Sequence, residues 1–144
     1  MRRSWRRQFL VVPLALIASF ASAAEFQVVA HSKVEGSRIR RAVLASIYRK
    51  DIIRWGDQTR IRPVDQSSRA PVRQAFARDI LGRSLGETQD YWESRMTVDR
   101  QMPPPAKASD QDVLAYVASK RGAIGYVTSG IELPGDIKVL AVID

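Results

Sequence analysis

The sequence predicts an α/β protein in which helices pack on one small mixed sheet, and three observations support that prediction. Apolar segments with strand character alternate with segments of helical periodicity, in the order β-α-β-α-α-α-β-β. Hydrophobic residues make up 45% of the 144 residues, which is enough to build the core of one domain. The chain has no cysteine, so no disulfide framework replaces that core.

The first 23 residues have the pattern of a secretory signal peptide. Four arginines among residues 1–7 precede an apolar run from Phe9 to Phe20, and Ala21–Ala23 follows as a small-x-small cleavage sequence. That run is shorter than the roughly 20 residues that a membrane span requires. We therefore expect a leader over 1–23, a single domain over 24–144 and a periplasmic location. Residues 6–10 also resemble the core of a twin-arginine export signal, and a short membrane anchor is the alternative.

The net charge of +8 belongs in part to that leader. The remaining chain has 19 basic residues (23 less the four in the leader) against 15 acidic ones, a net charge of +4. These charges are interspersed, whereas nucleic-acid-binding proteins usually present a basic stripe with aromatic residues on it. We therefore expect no nucleic-acid partner and no stable membrane span after the leader is removed. A protein held at a membrane surface by its positive charge is a weaker alternative, which moderate salt would test.

The first half of the mature chain gives the β-α-β-α part of the predicted order. Residues 26–30 form the first strand, and Ser37 provides an N-cap for a helix over 38–49. Isoleucine and valine recur every four residues along that helix and define its buried stripe. Residues 61–64 form a short strand, and a helix over 70–82 begins with a proline in its first turn, where no backbone donor is lost.

The second half supplies two more helices and two strands. A helix is predicted over 86–96, and Pro103–Pro105 then exclude helix and give a stiff extended segment. Ser109–Asp112 resembles a capping box and opens the last helix. Residues 123–127 form a strand. Residues 137–143 are nearly all apolar, which is typical of a central strand that is buried on both faces.

Catalytic motifs are missing from the sequence. It has no Walker A or dinucleotide-binding glycine motif, no H-E-x-x-H and no G-x-S-x-G. The single histidine, His31, lies at the end of the first strand, where a structural or surface role is expected. We therefore expect that the protein is not an enzyme and that it has no catalytic residues, no metal site and no cofactor.

Residues 65–73 form the one segment with the chemistry of anion binding. The segment runs from a strand end into a helix N-terminus, where free N–H groups and roughly half a positive charge attract anions. Ser67 and Ser68 add hydroxyl donors. Arg69 and Arg73 are four residues apart, so on a helix they share a face and can bind one oxyanion together. The alternative is that a serine caps the helix and both arginines are solvated.

Four segments, taken in order, resemble the periplasmic phosphate-binding proteins of ABC transporters. They are Val28–Ala30, the segment LASIYRKDIIRW over 44–55, the R-x-x-F sequence Arg73–Phe76 and the strand GAIGYV over 122–127. The tryptophan segment and GAIGYV are the more specific of the four. The resemblance implies a periplasmic-binding-protein-like fold, phosphate or a related oxyanion as the ligand, a role in transport and an ABC transporter permease as a partner.

The resemblance also shows where this chain departs from the family. Full members have two lobes that hold the anion between them, whereas this chain corresponds to a single lobe. The family motif R-x-D-G-S-G-T before R-x-x-F is degraded, because Gln66 stands at its arginine and Ala70–Val72 at its S-G-T. A second register keeps Ser67 but puts Pro63 at the arginine.

We therefore expect an exported, non-enzymatic single lobe that binds phosphate or a similar oxyanion through Ser67, Ser68, Arg69 and Arg73. The alternative is a periplasmic interaction module that has lost ligand binding. Such a module would dock through the face once covered by a first lobe, either onto a partner protein or onto a second copy as a homo-oligomer.

Overall fold

The structure, a computed structural model, describes residues 25–144. The leader predicted over residues 1–23 therefore lies outside the described residues. Within residues 25–144, every helix is too short or too polar to cross a bilayer. The predicted α/β class is confirmed, because a mixed sheet carries helices on both of its faces.

The elements follow one another along the chain as β1 Phe26–His31, β2 Arg38–Arg40, α1 Arg41–Tyr48, β3 Arg62–Pro63, β4 Asp65–Gln66, α2 Pro71–Phe76 with a π-helical continuation Ala77–Leu81, α3 Leu85–Val98, β5 Ala106–Lys107, α4 Asp110–Ser119, β6 Ala123–Thr128 and β7 Ile137–Ile143. The main sheet has five strands in the order β2-β7-β1-β6-β3. Strand β1 is antiparallel to β6 and β7, whereas β2 and β3 run parallel to their neighbours. Strands β4 and β5 form a separate parallel pair.

Strand β1 divides its side chains between two cores, as its alternating pattern predicts. Val28 and Ala30 point to one face of the sheet, where α1 and α2 contribute residues such as Phe76. Val29 points to the opposite face and packs with α4 residues such as Val113. Helices therefore shield both faces of the central strand from water.

The helix predicted over 38–49 begins three residues later than expected. Residues Arg38–Arg40 form strand β2 and pair in parallel with β7. Ile39 is buried and both flanking arginines are exposed, which is the alternation of a strand. Ser37 does not cap α1, since Arg40 is the N-cap; the Ser37 carbonyl instead accepts a hydrogen bond from the N–H of Ala141 (2.9 Å).

The helix predicted over 70–82 has the expected extent but a different form. Pro71 lies in its first turn, and Gly82 ends it in the left-handed conformation at φ +62°. Residues Ala77–Leu81 wind as one turn of π-helix. A π turn is a local change of hydrogen-bond register, which the spacing of apolar residues does not reveal.

The two later helices confirm their predictions. Helix α3 extends the expected 86–96 by one or two residues at each end and buries Trp92. Helix α4 begins after Ser109, whose hydroxyl accepts a hydrogen bond from the N–H of Asp112 (3.2 Å). This is the serine half of the predicted capping box.

Strand β7 lies inside the sheet, as expected, but the prediction that both of its faces are buried is wrong. Val139 and Ile143 are 44% and 37% exposed, and Ala141 between them is also exposed. Ile137 alone in β7 joins the core under α4. The helix covers β1 and β6 and leaves this strip of Val139, Ala141 and Ile143, the β7 strip, open to solvent.

Candidate functional site

The segment with predicted anion chemistry starts in β4, which is held from one side by the proline segment. Asp65 donates its backbone N–H to the carbonyl of Pro105 (2.8 Å), and Ser67 donates to the carbonyl of Lys107 (2.9 Å). Both β4 residues, Asp65 and Gln66, are buried. The extended conformation that consecutive prolines impose therefore provides a fixed edge for this strand.

Arg73 of α2 turns back onto β4 and forms an ion pair with Asp65. The side chains of Arg73 and Asp65 are only 15% and 9% exposed. Arg73 also donates to the carbonyl of Gln66 (3.1 Å). The Asp65 carboxylate in turn accepts from the hydroxyl of Tyr126 and the N–H of Gln66 (2.8 Å). The positive charge of Arg73 is therefore already compensated inside the protein.

Burial dominates the acid–base properties of this cluster. It raises the pKa of the Asp65 carboxyl, although Arg73 and the hydrogen bond from Tyr126 act in the opposite direction. Burial and the nearby Asp65 charge raise the pKa of Tyr126 and of Tyr48 well above the usual range for a phenol. Both phenols therefore remain protonated wherever the protein is folded at ordinary pH.

Gln66 connects this cluster to α4. Its side-chain amide donates to Asp110 (2.6 Å) and to the carbonyl of Tyr126 (3.0 Å). Asp110 also accepts from the N–H (3.1 Å) and the hydroxyl (2.8 Å) of Thr128. Gln66 thus holds β4, β6 and α4 together.

Aromatic rings close the cluster on the side of α1 and α2. Phe76 stacks on Tyr126 with ring centroids 3.9 Å apart and planes inclined by 3°. Tyr48 lies 4.6 Å from Phe76 and donates its hydroxyl to the carbonyl of Val64 (2.8 Å). The phenylalanine of the R-x-x-F sequence therefore has a packing role in the core.

The structure separates the four predicted site residues into two environments. Ser67, Ser68 and Arg69 lie in the turn before α2, here called the Ser67 turn. Ser68 and Arg69 are exposed there. Neither serine caps the helix, because Ala70 is the N-cap and no side chain bonds there. Arg69 precedes the helix, so the predicted shared face with Arg73 does not form.

Several N–H groups near these serines are already satisfied. Those of Arg69 and Ala70 donate to the hydroxyl (3.3 Å) and the carbonyl (2.9 Å) of Ser67. The one buried side-chain donor without a partner, within residues 25–144, is Nε of Arg73. That nitrogen, the serine hydroxyls and the exposed guanidinium of Arg69 are side-chain donors beside the Ser67 turn.

Within residues 25–144, no three His, Asp or Glu side chains are placed to share a metal ion. Nδ1 of His31 accepts a hydrogen bond from the N–H of Lys33 (3.1 Å) in the turn after β1. This contact fits the structural role expected for the single histidine.

A pocket lined by basic residues lies near the start of β6, whereas the Ser67 turn lies near the end of β6. Arg62 pairs with Ala123 at the start of β6, whereas Gln66 contacts Tyr126 near its end. A pocket of about 140 Å³ there is lined by three cations: Lys50, Arg60 and Arg62. Nothing in the spacing of the three indicates a site, because folding alone brings them together.

Neither a family model nor a curated protein matches this sequence. Solved structures do match in fold. One is an ABC-type phosphate transport receptor from Vibrio cholerae, with a TM-score of 0.59, 16% identity, and coverage of 81% of this chain and 45% of that one. PstS from Borrelia burgdorferi gives a TM-score of 0.62 and 17% identity, with coverage of 81% and 46%.

A third match is a Clostridium perfringens protein described as a phosphate ABC transporter substrate-binding protein and solved with bound phosphate. Its TM-score is 0.60 and its identity 16%, with coverage of 81% of this chain and 44% of that one. The chain thus spans less than half the length of each of these structures. The predicted fold, a lobe of the periplasmic-binding-protein type with a small mixed sheet flanked by helices, is confirmed.

Proposed function

We propose that the protein is an exported, non-enzymatic solute-binding lobe that takes phosphate or a related oxyanion. The observation that carries the proposal is the shared fold: 81% of the chain superposes on each of three solved structures, of which two are named for phosphate transport and one of these two was solved with phosphate. The same likeness supports a periplasmic location for residues 24–144 after the leader over 1–23 is removed. It also supports an ABC transporter permease as partner.

The proposed ligand contacts are Ser67, Ser68, Arg69 and Arg73. The exposed hydroxyl of Ser68 and the exposed guanidinium of Arg69 are accessible from solvent. Arg73 adds the unpartnered Nε, while its charge stays with Asp65. A site of this kind is open to water, which weakens each polar contact, so we expect low affinity unless a second wall covers it.

Calorimetric titration of phosphate and sulfate into the exported protein tests this proposal. We expect saturable heat that is lost in Ser67→Ala and in Arg69→Gln. Arg38→Gln is the matched control, because Arg38 is an exposed arginine on β2 that is remote in sequence from the Ser67 turn. Absence of heat at millimolar concentrations of both anions would end the proposal.

A second candidate function is docking onto a second copy of the chain. The β7 strip is apolar and exposed, and Val139 and Ala141 of the strip also line a groove of about 780 Å³ together with residues of β1 and the π turn. The internal neutralisation of Arg73 also fits a lobe that has lost its ligand. Light scattering distinguishes the two, since docking predicts a dimer that Val139→Lys converts to monomer. A monomer at all concentrations would exclude this candidate.

A further inference from the structure

The pocket lined by Lys50, Arg60 and Arg62, here called the basic pocket, has no carboxylate in its wall. Within residues 25–144, none of these three cations lies within 4.0 Å of a carboxylate oxygen, the ion-pair limit; the pairs that do form involve other arginines. Asp51, which follows Lys50 in sequence, pairs instead with Arg49 at 3.0 Å. The positive charge of the basic pocket is therefore uncompensated.

The backbone that carries two of the cations is rigidly placed. The carbonyl of Gly122 accepts from the indole N–H of Trp55 (2.9 Å) and from the N–H of Arg62 (3.1 Å). The N–H of Ile61 donates to the carbonyl of Ile53 (2.9 Å), which closes the 53–61 hairpin. A ligand would therefore meet a site that is already formed, which lowers the entropy cost of binding.

Lys50 holds a backbone conformation that lysine rarely adopts. Its φ is +61°, just after the end of α1, where helices usually place glycine. Burial and the positive charge of Arg60 also lower the pKa of its ammonium group. Glycine would relieve both the strain and the repulsion, and the lysine that stands here instead supplies the third positive charge of the pocket.

We propose that Lys50, Arg60 and Arg62 form an anion-binding site, separate from the Ser67 turn, for an oxyanion carried on an apolar group. The three cations would take the oxyanion. Much of the remaining wall is apolar, with Ile53 exposed at the rim and the Tyr116 ring in the wall. A volume of about 140 Å³ exceeds the roughly 30 Å³ of a water molecule and suits one anionic group with part of its substituent.

A soluble phosphate monoester and the headgroup of an anionic lipid both have this chemistry. Two probes separate these sources: phenyl phosphate in solution, and phosphatidylcholine vesicles with or without phosphatidylglycerol. The full chain is used as it is recovered from the exporting cell. Saturable binding of phenyl phosphate assigns a soluble ligand, and co-sedimentation only with phosphatidylglycerol vesicles assigns a lipid headgroup.

Two glycine variants make the test specific. Lys50→Gly removes the charge and relieves a positive φ, so failure to fold cannot explain a loss of binding. Gln58→Gly is the matched control, because Gln58 has a φ of +71° in the adjacent hairpin and does not line the pocket. We expect affinity to fall tenfold or more in Lys50→Gly and to stay unchanged in Gln58→Gly.

Three outcomes would overturn the proposal. They are equal binding by the two glycine variants, no binding of either probe by the parent chain, and loss of probe binding in Arg69→Gln while Lys50→Gly binds normally. The last result would assign the anion to the Ser67 turn. A parent chain that binds phenyl phosphate in a Lys50-dependent way but does not bind inorganic phosphate would contradict only the proposed function.

Discussion

Arg73 and the three cations of the basic pocket have opposite surroundings. Arg73 is largely buried and paired with the chain's own Asp65, inside a cluster of tyrosines and a phenylalanine. Lys50, Arg60 and Arg62 share a concave wall without a carboxylate. A buried cation whose partner is internal stabilises a fold, whereas clustered cations without partners are free to receive an anion from outside. Of these four cations, the three in the basic pocket are therefore the ones whose charge remains available to an anion.

The largest expected effect comes from breaking the buried pair. Asp65→Asn leaves the Arg73 guanidinium buried without a charged partner, which should lower the free energy of unfolding by about 3–5 kcal/mol. Asp79→Asn makes the same chemical change in the exposed pair with Arg78 and should cost at most about 0.5 kcal/mol. Urea denaturation measures both. Equal effects would show that the Asp65–Arg73 pair has no special structural role.

A smaller effect is expected where the basic pocket is anchored. A Cβ on Gly122 would lie 2.2 Å from the carbonyl oxygen of Arg60, and the φ of +84° disfavours any side chain. Gly122→Ala should therefore destabilise the protein by about 2–4 kcal/mol and displace Arg60. Gly56→Ala in the 53–61 hairpin, which contains Arg60, meets no atom within 4 Å and serves as the control. Thermal unfolding that is equally affected in both would contradict the anchoring role.

The tyrosines of the buried cluster should respond to alkaline pH. Their folded-state pKa is raised, so stability is complete below the unfolded value of about 10 and is lost as pH rises above it. Each tyrosine contributes a slope of about 1.4 kcal/mol per pH unit. Tyr48→Phe should remove one such slope, measured by urea unfolding between pH 10 and 11. An unchanged slope would mean that Tyr48 ionises in the folded protein.

The smallest effect is a gain in stability. Lys50→Gly and Gln58→Gly each relieve a positive φ and should raise the free energy of unfolding by about 0.5–1 kcal/mol. Lys50→Gly should gain more at low salt, because it also removes repulsion from Arg60. Comparing the two in 20 mM and 500 mM salt tests this. If the difference persists at high salt, repulsion is not its source.

Elements with strong local signals were predictable, and short pairings were not. The periodicity of β1 and the Ser109 cap each indicate their element from neighbouring residues alone. Strand β2 gives no such signal, because three residues are too few for a pattern and its partner β7 lies about a hundred residues away in sequence. The sequence indicates the position of the Ser67 turn. It does not reveal the ion pair between Arg73 and Asp65, because that pair depends on how deeply both side chains are buried.

The order of apolar and polar residues along this chain was sufficient for the α/β class, most element boundaries and the position of the turn before α2, since all of these depend on neighbours in sequence. The tertiary structure alone determines which charged side chains form ion pairs. Asp65 and Arg73 meet because β4 and α2 pack together, and Lys50, Arg60 and Arg62 meet because a helix end, a hairpin and an edge strand converge. Electrostatic interaction depends on distance and burial in space, and neither can be read from sequence spacing.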